Sequence, residues 1–388
     1  MKQLFAFGLL TVLFVTTKPG AAQDVTNNKF GKGITVVAQD SSFSLRYGGR
    51  IQSLFVGVQD TETNTFASKF LIRRARLKFD GFAFTPRLTY KVELGLSNSD
   101  MSGASIAETG KTANLILDAV VKYDFYRNWS VWVGQTKLPG NLERIISSGS
   151  LQFVDRSLVN SRYNIDRDAG IQLHYNGKKF RWISSISSGE GRNITVDNIG
   201  GYDYTHRLEW LPAGAFASKG ELSGADLKRE QSPKLMIGIA YDLNDRASRE
   251  RGQLGSFLSE QRTLTTWFFD AHFKYRGFSA MAEYVDKEAS GGSVIRDDDG
   301  NYVESFYVGT GCNTQIGYVF KNNFEVAARY SHVAPRIETQ EQEAEQYTFG
   351  LSRYFVGHAL KVQSDITFAT EAVGVNEWMY RFQIELSL

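Results

Sequence analysis

Phe70 to Phe79 read FLIRRARLKF. The run alternates like a strand, with Arg74, Arg76 and Lys78 on one face and Ala75, Leu77 and Phe79 on the other. Same-face neighbours two residues apart lie under about 7 Å from each other, so three like charges in a row repel. A soluble protein tolerates such a row on a solvated edge strand, where it discourages pairing with other sheets. A strand with lipid on one side and water on the other tolerates it too. The rest of the chain decides between the two.

Met1-Lys2 is followed by an apolar run from Leu4 to Val15 and then by Gly20-Ala21-Ala22, a small-x-small site. A short positive head, a brief apolar core and small residues read as a secretory leader cleaved after Ala22. The run is too short to cross a bilayer as a helix, which needs about 20 residues. Residues 1–22 are therefore expected to be a signal peptide, 23–42 an N-terminal periplasmic segment, and 43–388 the folded body. The chain carries 44 Lys+Arg and 42 Asp+Glu, and the leader removes Lys2 and Lys18, leaving 42 against 42. A formally neutral protein offers no general attraction for nucleic acid. The single cysteine, Cys312, makes no internal disulfide.

Period-2 alternation recurs along the chain. In "RLTYKVELGLS", Leu88, Tyr90, Val92, Leu94 and Leu96 oppose Thr89, Lys91, Glu93 and Ser97; in "WMYRFQIELSL", Trp378 to Leu388 alternate against Arg381, Gln383 and Glu385. Sixteen such segments are expected, at 43–58, 66–82, 85–98, 112–126, 128–138, 167–177, 178–188, 202–211, 233–244, 262–276, 277–287, 306–320, 323–334, 345–355, 358–370 and 377–388. Each is long enough to cross a bilayer as a tilted strand, which takes 9–11 residues. Tight turns (YRNW, NGKK, YRGF, FKNN, FVGH) follow even strands, and long polar connections follow odd ones. One connection breaks that rule, because 211–233 is long yet falls on the turn side. Trp129, Trp210, Trp267, Trp378, Tyr126, Tyr175, Tyr275, Tyr318 and Tyr354 sit near strand ends and suit interfacial girdles. A soluble sandwich of this length would need two domains, and no linker is visible. The fold expected is all-β: a transmembrane antiparallel β-barrel of 16 strands in a bacterial outer membrane. Ala75, Leu77 and Phe79 then face lipid, while Arg74, Arg76 and Lys78 face a wet lumen near Asp80 and Glu93.

RYGGRIQSLF, FLIRRARLKFDGFAFTPRLTYKVELGLS, VGQTKLPGNLERIISSGSLQFVDRSLVN and ADLKREQSPKLMIGIAYDLND resemble the phosphate-selective porin O/P family, and its Bacteroidetes-type members in particular. The resemblance spans roughly residues 30–388. It implies a homotrimer, a long third loop folded into the pore, and lumen arginines leading phosphate to a lysine-rich constriction. The arginine rows map onto Arg46, Arg50, Arg74 and Arg76, with Lys78 and Lys91 near them. The third loop maps onto 138–167, with Lys137 at its entrance and Arg144, Arg156, Arg162 and Arg167 within or beside it. Glu143, Asp155, Asp166 and Asp168 lie close in sequence and balance those arginines, so the dense lysine set of a phosphate-specific constriction is missing.

These residues have bland readings as well. The wall charges can pair with acids on neighbouring strands, and the loop arginines can pin the loop through salt bridges. The five histidines lack metal spacing, and RDDDG and EQEAEQ read as solvated acidic runs that could also hold calcium without EF-hand spacing. No Ser/His pairing suggests an enzyme, and no cofactor is implied. The reading is an outer-membrane porin for passive diffusion of small polar solutes with a mild preference for anions, phosphate included. Its arginine-rich wall, built by the first two strands, is expected to face acids elsewhere. The alternative is a structural or adhesive surface barrel with a plugged lumen.

Overall fold

In the computed structural model, residues 25–26, 29–101, 114–195, 200–371, 374 and 376–388 are described. The leader expected at 1–22 lies outside them.

Sixteen long strands run β1 (Ser44–Asp60), β2 (Phe66–Ala83), β3 (Thr85–Gly95), β4 (Ile116–Tyr126), β5 (Trp129–Lys137), β6 (Arg167–Asn176), β7 (Phe180–Ser187) and β8 (Asp203–Trp210). They continue with β9 (Lys234–Arg249), β10 (Phe257–Tyr275), β11 (Phe278–Ala289), β12 (Gly309–Val319), β13 (Phe324–Pro335), β14 (Ala344–Tyr354), β15 (Leu360–Glu371) and β16 (Asn376–Ser387). Each pairs antiparallel with its sequence neighbours, and β16 pairs with β1 from Glu377↔Asp60 to Ser387↔Arg50, which closes the sheet. Closure leaves no strand edge with unpaired backbone, the condition for a sheet in hydrocarbon. A short strand, Ile34–Val37, pairs with the first residues of β1.

The barrel is polar inside and apolar outside. Phe70, Ile171, Phe349 and Ile384 are exposed on its outer face, whereas Arg207, Lys274, Lys287, Lys361 and Glu385 are buried within. Arg207 shows how such a charge is held: it donates to Asp270 at 2.7 and 2.8 Å and to Glu209 at 2.8 Å. Trp210, Trp267, Trp378, Tyr126 and Tyr318 lie exposed as girdle residues should. Tyr354 does not: it is 1% exposed and donates to the Glu325 carboxylate at 2.5 Å, so it points inward.

All sixteen expected segments are strands, and two boundaries differ in an informative way. β9 and β10 extend past 244 and start before 262, with register shifts around Ala247 and Arg249, so their connection shrinks to 250–256. In β2, Arg74 pairs with Gln52 but Ile72 pairs with Ser53, leaving Arg73 as an extra residue in a β-bulge. The bulge switches the phase of the strand, from Phe70 and Ile72 outward to Ala75, Leu77 and Phe79 outward. Two consecutive arginines, Arg73 and Arg74, thereby reach the lumen side.

Candidate functional site

The connection 138–166 turns inward because its polar groups match the barrel wall. It contains α2 (Leu142–Ile145) and α3 (Leu158–Tyr163), which follow α1 (Asn98–Met101) of an earlier loop. Ser157 caps α3, its hydroxyl accepting from Asn160 N. Lys137 caps the other end of α2, its Nζ donating to the carbonyls of Arg144, Ile145 and Ile146 at 2.7, 3.0 and 3.3 Å. Cations suit helix C-termini. The middle of the loop hangs on Gln152, whose amide donates to Ser279 and Glu325 at 3.0 and 2.8 Å and accepts from Gln315 at 2.9 Å. Val154 N donates to Asp365 at 3.0 Å, and Arg329 donates to Asp155 O at 2.9 Å. Leu158, Val159, Tyr163 and Ile165 pack on Ala240, Phe268, Val285 and Val333. The partners belong to β9–β13 and β15, so the loop lies against that wall and leaves space beside β2–β7.

The turn-side connection 211–233 also folds inward. Lys274 of β10 donates to the carbonyls of Gly220, Ser223 and Ala225 at 2.7, 2.7 and 2.8 Å. Arg181 pairs with Glu221 at 2.7 Å. Leu211 and Phe216 share an apolar cluster with Leu142, Ile146 and Leu151 of the third loop. Backbones touch as well, with Gly224 N donating to Ser150 O at 2.8 Å. A Cβ on Gly224 would lie 2.7 Å from Gln152 N, so only glycine permits this approach.

Two large cavities lie beside these inner segments among the described residues. One of about 840 Å³ opens between the long loops and is lined by nine arginines, among them Arg73, Arg74, Arg192 and Arg251, against three acids. The other, about 650 Å³, extends toward the turn rim and is lined by Lys91, Lys122, Lys137, Arg181 and Lys219 among others. Arg76, Arg144, Arg156 and Arg167 line both cavities and so mark where they meet. A third cavity of about 480 Å³, at the turn rim, is lined by Arg46, Lys78, Lys91 and Lys122.

The charges along this route are arranged in two ways. Asp100, Arg76, Glu93, Lys91, Asp118, Arg167, Asp166 and Arg144 form one chain of alternating ion pairs. The arginine wall therefore does not face acids elsewhere: its counter-charges are interleaved on adjacent strands and loops, within cross-strand reach. Arg73 and Arg74 share Asp155 at 2.7 and 3.4 Å. Burial pushes the Asp155 carboxyl up, but Arg73, Arg74 and Arg381 outweigh it and hold it well below the usual carboxylate range. Asp166 behaves alike, with Arg144 and Arg167 overcoming burial.

The second arrangement leaves cations uncancelled. Arg156 donates to the carbonyls of Glu143 and Ile146 at 3.0 and 2.8 Å. Lys122 sits 3.5 Å over the Trp132 ring, whose plane stacks on His174 at 3.9 Å. Arg156, Arg192, Arg251, Lys122, Lys137 and Lys219 all line the cavities, and none has a carboxylate within 4.0 Å of its side-chain nitrogens among the described residues. Six of the seven lining acids are ion-paired: Glu93, Asp100, Asp118, Asp166, Glu209 and Glu221. Burial, then the charges of Arg144 and Arg74, press the Arg156 guanidinium below its ordinary value. A guanidinium stays protonated in proteins, so Arg156 keeps its charge in a buried setting shared with other arginines.

The residues expected from sequence scatter around this route. Arg74, Arg76, Lys91, Lys137, Arg144, Arg156 and Arg167 line one or both large cavities. Arg46 pairs with Asp80 at the turn rim, where Lys78 lies 3.2 Å from the same acid. Arg50 is tied to Ser148 at 2.7 Å and Glu385 at 3.7 Å. Arg162 leaves the group, lying 5.7 Å over the Tyr307 ring and lining neither large cavity. Arg73, Lys122, Arg181, Arg192, Lys219 and Arg251 were not in that set. Only Arg73 had a sequence signal, the phase switch between Ile72 and Ala75.

No curated protein sequence matches the chain. Solved structures do resemble it. An anion-selective porin from Comamonas acidovorans aligns at 11% identity over 89% of this chain and 100% of its own, with a TM-score of 0.56. OmpT, a Vibrio cholerae outer-membrane protein in its trimer form, aligns at 11% identity over 89% and 99%, with a TM-score of 0.54. The outer-membrane channel DcaP of Acinetobacter baumannii aligns at 12% identity over 92% and 100%, with a TM-score of 0.56. At such identities the likeness shows the sixteen-strand barrel alone. The family model for phosphate-selective porin O and P matches residues 45–369. That match covers nearly the whole barrel, and the chain belongs to the phosphate-selective porin O and P family of the bacterial outer membrane.

Proposed function

We propose that this porin passes small anions by passive diffusion, preferring them mildly over cations. The observation that carries the reading is the imbalance along the route. Six lining cations lack a carboxylate within 4.0 Å of their side-chain nitrogens among the described residues, while six of seven lining acids are held in ion pairs. A solute enters the arginine-lined cavity, meets Arg156 where the cavities join, and leaves past Lys122 and Lys219 at the turn rim, periplasmic in this architecture. Several weak contacts in series let an ion bind and still depart. Phosphate fits the guanidinium donors through bidentate hydrogen bonds, but the alternating ion-pair chain occupies most of them. The preference is therefore for anions as a class, with phosphate one of them. Three such barrels per assembly agree with the trimer form of the Vibrio cholerae protein of the same architecture.

Single-channel recording of the folded protein in a planar bilayer tests this. Reversal potentials in a salt gradient are expected to favour anions, with phosphate reducing the chloride current at millimolar concentration. Conductance without selectivity would make it a general porin. Zero conductance from folded protein would favour a surface barrel plugged by 138–166 and 211–233.

A further inference from the structure

The geometry points to Lys219 as a specificity-determining residue, held in the lower cavity by an inward-folded segment that enters from the turn rim. The inference rests on the anion reading above and adds a second charged contact to it. Tight turns make most connections on this rim, so the 23 residues of 211–233 are not needed to join β8 to β9. At the tip, Ser218 and Lys219 both adopt left-handed backbone, with φ of 53° and 57°. Neither is glycine, and each such residue costs roughly 1 kcal/mol or more.

Strain of this kind persists only where the surroundings over-determine it, and here they do. Behind the tip, Lys274 binds three carbonyls of the segment. The His272 ring nitrogen Nδ1 lies 3.0 Å from Glu221 O. In front of the tip, Ala217 N donates to Glu230 at 2.6 Å. The result is a fixed turn whose one exposed cation lines the cavity. Lys219 makes no ion pair with a described carboxylate. A lysine on a flexible loop would average its field over many positions; this one presents its stem from a defined backbone. An anion leaving Arg156 meets it before the rim.

The test uses the full-length folded barrel, with heat-modifiable gel migration as the folding control. Lys219→Gln is expected to lower the anion-to-cation permeability ratio about twofold at low salt, and Lys219→Glu to lower it further and make the current rectify. Lys219→Cys should react with a charged methanethiosulfonate added on the turn side; the cationic reagent should restore the ratio and the anionic one should depress it. Because Cys312 is native, the unsubstituted protein treated alike must show no current change. If the unsubstituted channel selects anions yet the Lys219 variants match it, the inference fails while the proposed function stands. If the unsubstituted channel shows no anion preference, the proposed function itself fails.

Discussion

Arg156 offers the sharpest perturbation, because it lines both cavities and its guanidinium donates to two carbonyls, Glu143 O and Ile146 O. A unit charge passing about 4 Å from it gains about 1 kcal/mol in bulk water and about 4 kcal/mol at the effective dielectric near a protein surface. The cavities are wet, so the lower figure applies, and 1 kcal/mol corresponds to about fivefold in occupancy. Arg156→Gln is therefore expected to reduce anion occupancy at the junction about fivefold and Arg156→Glu about 25-fold, each lowering the anion-to-cation permeability ratio by at least as much. Both effects should be largest at 10 mM salt, where the screening length is about 30 Å, and small at 1 M, where it is about 3 Å. Arg156→Lys keeps the charge while altering the carbonyl contacts, so it separates electrostatics from loop support and should retain most of the ratio. Arg162→Gln, over Tyr307 and away from both large cavities, should change nothing. The assay is the reversal potential across a tenfold salt gradient. An unchanged ratio in folded Arg156→Gln at 10 mM would refute the reasoning.

Three further outcomes follow from the inner segments. Asp155 and Asp166 are held below their ordinary carboxylate values, so the anchoring they give is full above the unfolded value near pH 4 and is lost as pH falls through the lowered values. Amide-exchange protection of 138–166 should be flat from pH 7 to about 4 and fall below it; a drop at pH 5 would be inconsistent. Gln152→Leu removes one hydrogen-bond partner each from Glu325, Ser279 and Gln315, at about 1–3 kcal/mol for a buried polar group left unpaired, so the same segment should lose protection at neutral pH while the barrel strands keep theirs. Gly224→Val drives a side chain into Gln152 N and should separate the two inner segments, raising open-channel current noise; a quiet channel would mean the contact is dispensable.

Much of the barrel was legible because each strand separates lipid from water and must alternate. Leu88 to Leu96 and Trp378 to Leu388 show that pattern without interruption. The β2 bulge left a signal that a single alternation over Phe70–Phe79 passes over: outward apolar residues at 70 and 72 cannot share a phase with those at 75, 77 and 79. Ion-pair partners were not legible. Asp155 lies next to Arg156 in sequence yet pairs with Arg73 and Arg74 of β2, because loop placement decides which charges meet. The same holds for Tyr354, whose place near a strand end suited a girdle while its inward phase sends it to Glu325. The length of 211–233 marked it as unusual, but its direction depends on Lys274 and His272, two inward residues fifty positions away.

The way each cation is held determines whether it can act on a solute. A carboxylate positions an arginine and cancels its field at once, as along the chain from Asp100 to Arg144. A backbone carbonyl or an aromatic face positions a cation while leaving its net charge in place. Arg156 and Lys137 are held by carbonyls, and Lys122 by the Trp132 ring. These three lie on the route, one at the junction and two below it. The alternating chain thus keeps a densely charged wall neutral and folded, and the carbonyl- and ring-held cations supply the field. Formal neutrality of the chain outside its first 22 residues and the selectivity proposed for its lumen are compatible for that reason: overall charge counts every group, whereas a passing ion responds most to the few whose side chains no acid pairs.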